Sequence, residues 1–325
     1  MKIVFLQQLW YEWQAPMIFS AIAKCKEHST VMYIKSSPRV AAKMALLENA
    51  DLVVFSSITS GNMQFVYECA MYIKQHKDIP IIVGGVYVSL FYKEISMKNI
   101  DYLGIGEGEY TFSFLLDAIE NSTPIDDIPG LGYKCRNELV VNRPKIVKNL
   151  DKIPIMDRNL YYKYPLLRRE KVRMFYSGRG CSYECSYCCV PLLTRLNDNV
   201  PPIRKKSPEA MIVEIKEVQN EFGLKAVFFQ DDTFTQDRKW LLRFLNLYKE
   251  HINKPLMCMS RAVNIDEKIA CALAESGCIS VGIGLETANE KTREAFNRIE
   301  SNAHIKNAIA LLKSKGIRVT TFNMV

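Results

Sequence analysis

Apolar runs of strand length alternate along this chain with longer stretches that set their apolar side chains on one helical face. In the first part, strands are expected at residues 2–8, 30–35, 51–56, 80–83 and 100–104. Between them, residues 16–27 line up Ile18, Ala21, Ile22 and Cys25, and residues 62–76 line up Phe65, Cys69, Tyr72 and Ile73. Strands separated by helix-length segments predict a parallel sheet covered on both faces. The alternation lapses after about residue 120 and resumes at Val172, with strands expected at 172–177, 225–230, 256–259, 279–285 and 317–324. Ser207-Pro208-Glu209 opens one of the intervening helices with a capping hydroxyl and a proline in the first turn. A hairpin over residues 131–141, turning near Arg136-Asn137, fits between the two halves. The pattern predicts an α/β protein: a doubly wound, flavodoxin-like or Rossmann-like domain at 1–125, a connector at 126–170, and a barrel of parallel strands at 171–325.

The unusual residues collect where the strands end, the edge at which such sheets bind ligands. The first strand runs into a bulky loop, Gln7-Gln8-Leu9-Trp10-Tyr11-Glu12-Trp13. The third ends in Ser56-Ser57-Ile58-Thr59, the fourth in Gly84-Gly85-Val86, and Gly106-Glu107-Gly108 follows the fifth. Glycine at such a place lets backbone approach a large or phosphate-bearing ligand with no side chain between. In the second half the strand ends carry Asp231-Asp232, Ser260-Arg261 and Glu286. Taken singly these are ordinary features: a Gly-Gly is usually a turn, an Asp pair a helix cap, a lone Arg a surface charge.

One run is more specific. Cys181, Cys185 and Cys188 are spaced C-x3-C-x2-C behind the strand at 172–177, with Tyr187 just before the last cysteine. Three thiolates on one loop can hold three corners of a four-iron, four-sulfur cluster and leave the fourth iron open to a small molecule. A zinc site wants a fourth Cys or His at comparable spacing. Cys189 is the near candidate, but adjacent to Cys188 it is badly placed to close a tetrahedron. A zinc knuckle or a chance cluster among ten cysteines competes with the cluster reading.

The cysteine spacing resembles the radical S-adenosylmethionine (radical SAM) family. Ser-Ser-Ile-Thr, Val-Gly-Gly-Val and Asp-Tyr-Leu-Gly-Ile-Gly-Glu-Gly-Glu, in that order, resemble the cobalamin-binding domain fused to one of its subfamilies, the class B methyltransferase-like proteins. The similarity continues through residues 128–133 and 150–154. It implies a radical SAM (β/α)6 barrel, and three cofactors: a 4Fe-4S cluster on Cys181, Cys185 and Cys188, S-adenosylmethionine (SAM) and cobalamin. By the same resemblance SAM lies against Tyr187, one or both of Asp231 and Asp232, Ser260, Arg261 and Glu286. Cobalamin lies against Ser56, Ser57, Thr59, Gly84, Gly85, Val86, Gly106, Glu107 and Gly108. Relatives that hold cobalt through histidine carry Asp-x-His-x-x-Gly. None of His28, His76, His251 and His304 sits in that motif, so cobalt is expected to have no histidine below it. The aromatic loop with Trp10 and Tyr11 is read as covering that face of the cobalt; the alternative is that Trp10, Tyr11 and Trp13 simply pack the interface between the domains.

The activity implied is methyl transfer to an unactivated carbon or phosphorus centre, through a 5′-deoxyadenosyl radical and methylcobalamin. The substrate implied is a small molecule, natural product or lipid, and the electron donor a flavodoxin or ferredoxin. Ring rearrangement, cyclisation or oxidation on the same cofactors is an alternative, as is a corrinoid or redox sensor without catalysis. A methylthiotransferase fits less well, because Cys25, Cys69 and Cys135 are too dispersed to hold a second cluster. Members of the family add a sixth barrel strand, so an end on the fifth points to a truncated chain, and less to a partner that completes the sheet.

Composition narrows little beyond this. With 48% hydrophobic and 24% charged residues the chain reads as a folded protein, and its longest apolar stretch, residues 79–90, contains Pro80, Gly84 and Gly85 and is too short for a membrane span. Lacking a secretion signal at its start, and with ten cysteines, it is expected in a reducing cytoplasm. The net charge of +8 lies wholly beyond residue 150, because residues 1–150 carry 15 basic and 15 acidic side chains. Arg168, Arg169, Lys171 and Arg173 form one basic cluster and Arg204, Lys205 and Lys206 another. Nucleic acid is one reading of them; solvated loops is the favoured one.

Overall fold

The computed structural model describes residues 1–197 and 200–324 and divides into two compact units. The first comprises Met1–Lys148 and Lys152–Arg168 in the main, and the second runs from Arg169 to Thr194 and onward from Val200.

The first unit is a sheet of seven strands: β1 (Lys2–Gln7), β2 (Ser29–Ile34), β3 (Leu52–Ser56), β4 (Ile81–Gly84), β5 (Tyr102–Gly104), β6 (Leu131–Cys135) and β7 (Glu138–Val141). Their order is β2-β1-β3-β4-β5-β6-β7, with β1 to β5 parallel. Strand order therefore reverses between β1 and β3, where doubly wound sheets open a crevice. Apolar runs such as Ile3–Leu6 and Leu52–Val54 are buried on both faces by helices, including Gln14–Cys25, Pro38–Leu47 and Ser60–His76. The hairpin expected between the halves is instead the edge of this sheet. Strand β6 pairs antiparallel with β5, and Arg136 and Asn137 make the turn with positive φ. That pairing covers the backbone edge β5 would otherwise expose.

The second unit has five parallel strands: β8 (Val172–Phe175), β11 (Ala226–Phe229), β12 (Leu256–Ser260), β13 (Cys278–Glu286) and β14 (Arg318–Asn323). Their order follows the chain, β8-β11-β12-β13-β14, the singly wound arrangement of a partial barrel. A short antiparallel ribbon, β9 (Gly178–Arg179) with β10 (Arg204–Lys205), flanks the cysteine run. Ser207 caps the helix Pro208–Phe222 as expected, its hydroxyl accepting from the Ala210 amide at 3.2 Å. Among the described residues no helix is long and apolar enough to cross a membrane.

The basic clusters are less solvated than the sequence suggested. Arg173 is fully buried and donates to the Phe222 and Gly223 carbonyls at the end of the helix Pro208–Phe222. Lys171 donates to Phe222 O at 2.6 Å. Lys206 is buried against Glu214 at 2.5 Å, and Lys205 against Asp231 at 2.9 Å. Burying cations beside helix-end carbonyls and carboxylates stabilises the ends of these elements, and leaves fewer charges for an outside partner.

Candidate functional site

In the second unit the residues expected to hold a cluster and SAM lie at, or on the loop beyond, the carboxyl ends of the strands, but their side chains have unequal freedom. Asp231 is buried and saturated. It accepts from the Ser177 amide (3.0 Å), the Ser177 hydroxyl (2.6 Å) and Lys205 Nζ (2.9 Å). Lys205 also donates to Phe234 O at 3.4 Å and lies 4.7 Å over the Trp240 ring, so the pair pins ribbon β9–β10 to strand β11. Asp232 is exposed and takes a hydrogen bond from the Gly180 amide. Desolvation raises its carboxyl pKa, and the neighbouring Asp231 adds to the rise. Of the two aspartates, only Asp232 has a side chain free to meet a ligand. Ser260 is buried too, its hydroxyl 2.6 Å from Thr235 Oγ1.

The cysteine loop is held at both ends. Gly180 has φ +87°, and a Cβ there would stand 2.2 Å from Pro202 O, so the entrance to the loop admits only glycine without rearrangement. Cys185 is buried, and Cys181 and Cys188 are half-buried. Thr233 Oγ1 lies 3.7 Å from Cys181 Sγ. Burial pushes the Cys181 thiol up; the Cys188 thiol is raised first by its hydrogen bond with Cys189 and then by burial. Coordination to a metal deprotonates such thiols outright. Among the described residues no three His, Cys, Asp or Glu side chains converge as the ligands of one ion would. Thiolates around a cluster are held apart by the cluster itself, so three soft donors on one partly sheltered loop suit iron–sulfur chemistry.

The segment after β13 was missed by the sequence reading. Glu286 ends the strand with φ +64°, in the left-handed region that a non-glycine residue seldom occupies. From there the chain passes over the cysteine loop. Phe296 O accepts from the Ser186 amide (3.1 Å), and Asn297 Nδ2 donates to Glu184 O (2.8 Å). Arg298 donates to Gly284 O (2.6 Å), to Tyr187 Oη (2.9 Å) and, more weakly, to Glu286 and Glu300 (3.4 Å each). A Cβ on Gly284 would stand 2.5 Å from Glu286 Oε1, so a larger residue there would displace the Glu286 carboxylate. Arg261, expected as a ligand-facing cation, is clamped by Glu300. Its Nε and Nη2 each donate to one carboxylate oxygen at 2.6 Å. Its Nη1 faces Cys185 Sγ at 3.7 Å, and its plane lies 3.7 Å over the Tyr183 ring. Burial alone would raise the Glu300 carboxyl pKa, but the Arg261 hydrogen bonds and both arginine charges outweigh it and hold the group below its ordinary value. Glu300 stands 39 positions from Arg261, so no local spacing could announce the pair. The available signal was that a buried arginine requires a carboxylate somewhere.

In the first unit the expected ligand residues also share one edge. Ser56 is opposite Gly84 in register, and Gly104 lies beside Gly84. Here the glycines have tenants within the protein itself. Gly85 has φ +107°, and a Cβ would meet Ser57 O at 2.3 Å. One on Gly108 would strike the Phe19 ring at 2.5 Å, and one on Gly106 would sit 3.0 Å from Pro144 Cβ. Their small size is therefore set by packing of the loops on one another, before any ligand. Ser89, which the sequence reading passed over, ties those loops: its hydroxyl donates to Gly85 O (2.9 Å) and accepts from the Gly106 amide (2.9 Å). Ser57 is buried, while Thr59, Trp10 and Tyr11 are exposed. Ser56, Gly84, Val86, Gly106, Glu107 and Gly108 are half-buried. The loop after β1 is braced from beneath: Gln7 Nε2 donates to Leu9 O and Tyr11 O, Tyr161 Oη donates to Gln7 Oε1 (2.6 Å), and Tyr162 Oη donates to Glu12 (3.0 Å). Trp10 packs edge-on against Tyr164 at 5.1 Å. A rigid rim bearing exposed aromatic faces and half-buried backbone suits a broad planar ligand. His28, 3.2 Å from the chain's amino terminus, and His76, at the end of the helix Ser60–His76, lie at the opposite edge of the sheet.

The family model described as the radical SAM superfamily matches residues 175–325, and that described as the B12 binding domain matches residues 26–116. An uncharacterised methyltransferase of Pyrococcus horikoshii is 30% identical over 271 residues, covering 79% of this chain and 56% of that protein. A cytidylyl-2-hydroxyethylphosphonate methyltransferase of Streptomyces wedmorensis is 22% identical over 279 residues, 74% of this chain and 51% of that protein. An anaerobic magnesium-protoporphyrin IX monomethyl ester cyclase of Rubrivivax gelatinosus is 25% identical over 299 residues, 87% of this chain and 52% of that protein. The chain thus spans about half the length of these relatives. Among solved structures, the cobalamin-dependent radical enzyme OxsB has the same fold at TM-score 0.84 and 15% identity, over 99% of this chain and 49% of that one. The methyltransferase TsrM of Kitasatospora setae does so at 0.80 and 15%, over 98% and 66%.

Proposed function

We propose, from the premise that the chain is a B12-binding radical SAM protein homologous to class B radical SAM methyltransferases, that it transfers a methyl group to an unactivated carbon or phosphorus centre of a small molecule. Its cofactors are a 4Fe-4S cluster, SAM and cobalamin. When bound, the cluster supplies the electron that splits SAM into a radical able to abstract hydrogen, and the corrinoid supplies the methyl group.

In this reading Cys181, Cys185 and Cys188 hold the cluster. Asp232 is the strand-end acid left to receive the SAM amine, since Asp231 is spent on Ser177 and Lys205. Glu286, half-buried and only weakly bonded to Arg298, accepts from ribose hydroxyls, with Tyr187 beside the adenine. Ser260 and Arg261 shape the floor, because their polar atoms already have partners. In the first unit the exposed Trp10 and Tyr11 and the strand-end loops at residues 56–59, 84–86 and 106–108 would hold the corrinoid. Among the described residues of this unit, His28 and His76 lie at the opposite edge, so neither would hold the cobalt. An electron donor such as a flavodoxin or ferredoxin completes the requirement.

The observation that carries this reading is the anchored three-cysteine loop in a chain that also has a B12 domain. The test is anaerobic reconstitution with iron, sulfide and cobalamin, followed by SAM labelled in its methyl group and a low-potential reductant. Formation of 5′-deoxyadenosine together with labelled methyl on the corrinoid supports the proposal. Cleavage of SAM to 5′-deoxyadenosine with all the label retained in methionine, whatever the substrate offered, favours the cyclisation or oxidation chemistry that the name of the Rubrivivax cyclase suggests.

A further inference from the structure

The Arg261 guanidinium sits in an unusual place for a cation. It is buried, its fork is spent on Glu300, and a third donor faces the sulfur of Cys185. Glu300 is buried in turn and receives Arg298 on the same oxygen, Oε1, that accepts Arg261 Nε. Arg293, fully buried, buckles the segment by donating to Thr287 O (3.1 and 2.9 Å) and to Glu300 O, so the position of the carboxylate is fixed by backbone. The Tyr183 ring closes the guanidinium from one face. A hydrogen bond placed on a thiolate withdraws charge from sulfur and favours the more reduced state of the iron it binds, and hydrogen bonds to sulfur are among the settings of cluster potential.

We infer that Arg261, aimed by Glu300, is a potential-setting residue for the cluster: it donates to the Cys185 thiolate and raises the midpoint potential of that cluster. Glu300 acts through Arg261 and is a positioning residue. The inference rests on the reading of Cys185 as a cluster ligand, and assigns Arg261 a different task from binding the SAM carboxylate.

The experiment is a redox titration of the reconstituted cluster, followed by electron paramagnetic resonance without SAM, in the parent chain and in Arg261→Met and Arg261→Lys. Both variants are expected to hold a full complement of iron and to shift the midpoint to more negative potential. The shift is largest in Arg261→Met, which loses charge and donor together, and smaller in Arg261→Lys, which keeps the charge but cannot span Glu300 and Cys185. A potential unchanged in both, with weaker SAM binding instead, overturns the inference in favour of a substrate-binding arginine. A shift in Arg261→Met that Arg261→Lys fully restores also overturns it, because the field and not the hydrogen bond would then be responsible. Should the variants fail to fold, the parent chain grown with 15N-arginine decides. Pulsed resonance of the reduced cluster is expected to show a weak nitrogen coupling, and its absence contradicts the inference. A chain that assembles no iron–sulfur cluster at all defeats the reading of the cysteines, whereas a normal cluster with an unmoved potential defeats only the role given to Arg261.

Discussion

The two units build the edge at the ends of their parallel strands by opposite means. In the first, strand order reverses between β1 and β3, and the edge is made by absent side chains: Gly84, Gly85, Gly106 and Gly108, with Ser89 tying their loops together. In the second, strands follow in order, and the edge is made of charged pairs: Asp231 with Lys205, Arg261 with Glu300, and Arg298 between Glu286 and Glu300. A backbone rim tolerates a wide, planar, neutral surface. A charged rim holds ionised groups in fixed positions, at the cost of taking several ions out of water.

That contrast gives variants with different expected effects. Replacing Lys205 with Met strands the buried Asp231 carboxylate, and unfolding stability should fall by about 4 kcal/mol in a denaturant titration. Retention of full stability would mean that the pair does not pin the ribbon. Gly85→Ala forces a side chain into left-handed backbone against Ser57 O, and about 3 kcal/mol is the expected loss. A stable Gly85→Ala chain that fails only to bind cobalamin would show that the glycine serves the ligand and not the fold.

Acid should affect the two rims differently. Glu300 is held below its ordinary pKa of 4.5, so its pairing stabilises the folded chain above that value, and the contribution is lost as pH falls through the lower folded-state value. Stability measured from pH 6 downward should therefore decline more steeply in the parent than in Glu300→Gln, and parallel curves would contradict the ion pair. The smallest effect on folding is expected at Trp10. It is exposed, so Trp10→Ala should change stability by no more than about 0.5 kcal/mol while weakening retention of cobalamin on a desalting column. An unchanged retention would remove the loop after β1 from the corrin site.

Much of this architecture was legible because strand alternation and helix faces are local patterns. Each expected strand forms within a residue or two of its expected place, and the C-x3-C-x2-C run is contiguous. What was not legible is what depends on distant partners. Asp231 and Asp232 look equivalent in sequence, and only Lys205 and Ser177 distinguish the spent one from the free one. Arg173 and Lys205 read as surface charge until the helix-end carbonyls and the carboxylate that bury them are placed beside them. Gly85 and Gly108 read as room for a ligand, whereas the space is filled by Ser57 and Phe19. Residues 287–300 carry no motif, yet they supply Arg298 and Glu300 to the rim.

The most direct test of the account concerns the cysteine loop. Anaerobic reconstitution of the chain with iron and sulfide, read by metal analysis and Mössbauer spectroscopy with and without SAM, should give about four irons per chain, one of which changes its signal when SAM is added. Cys185→Ala should lose nearly all of that iron. A tightly held zinc, or a cluster whose four irons all ignore SAM, would contradict the account.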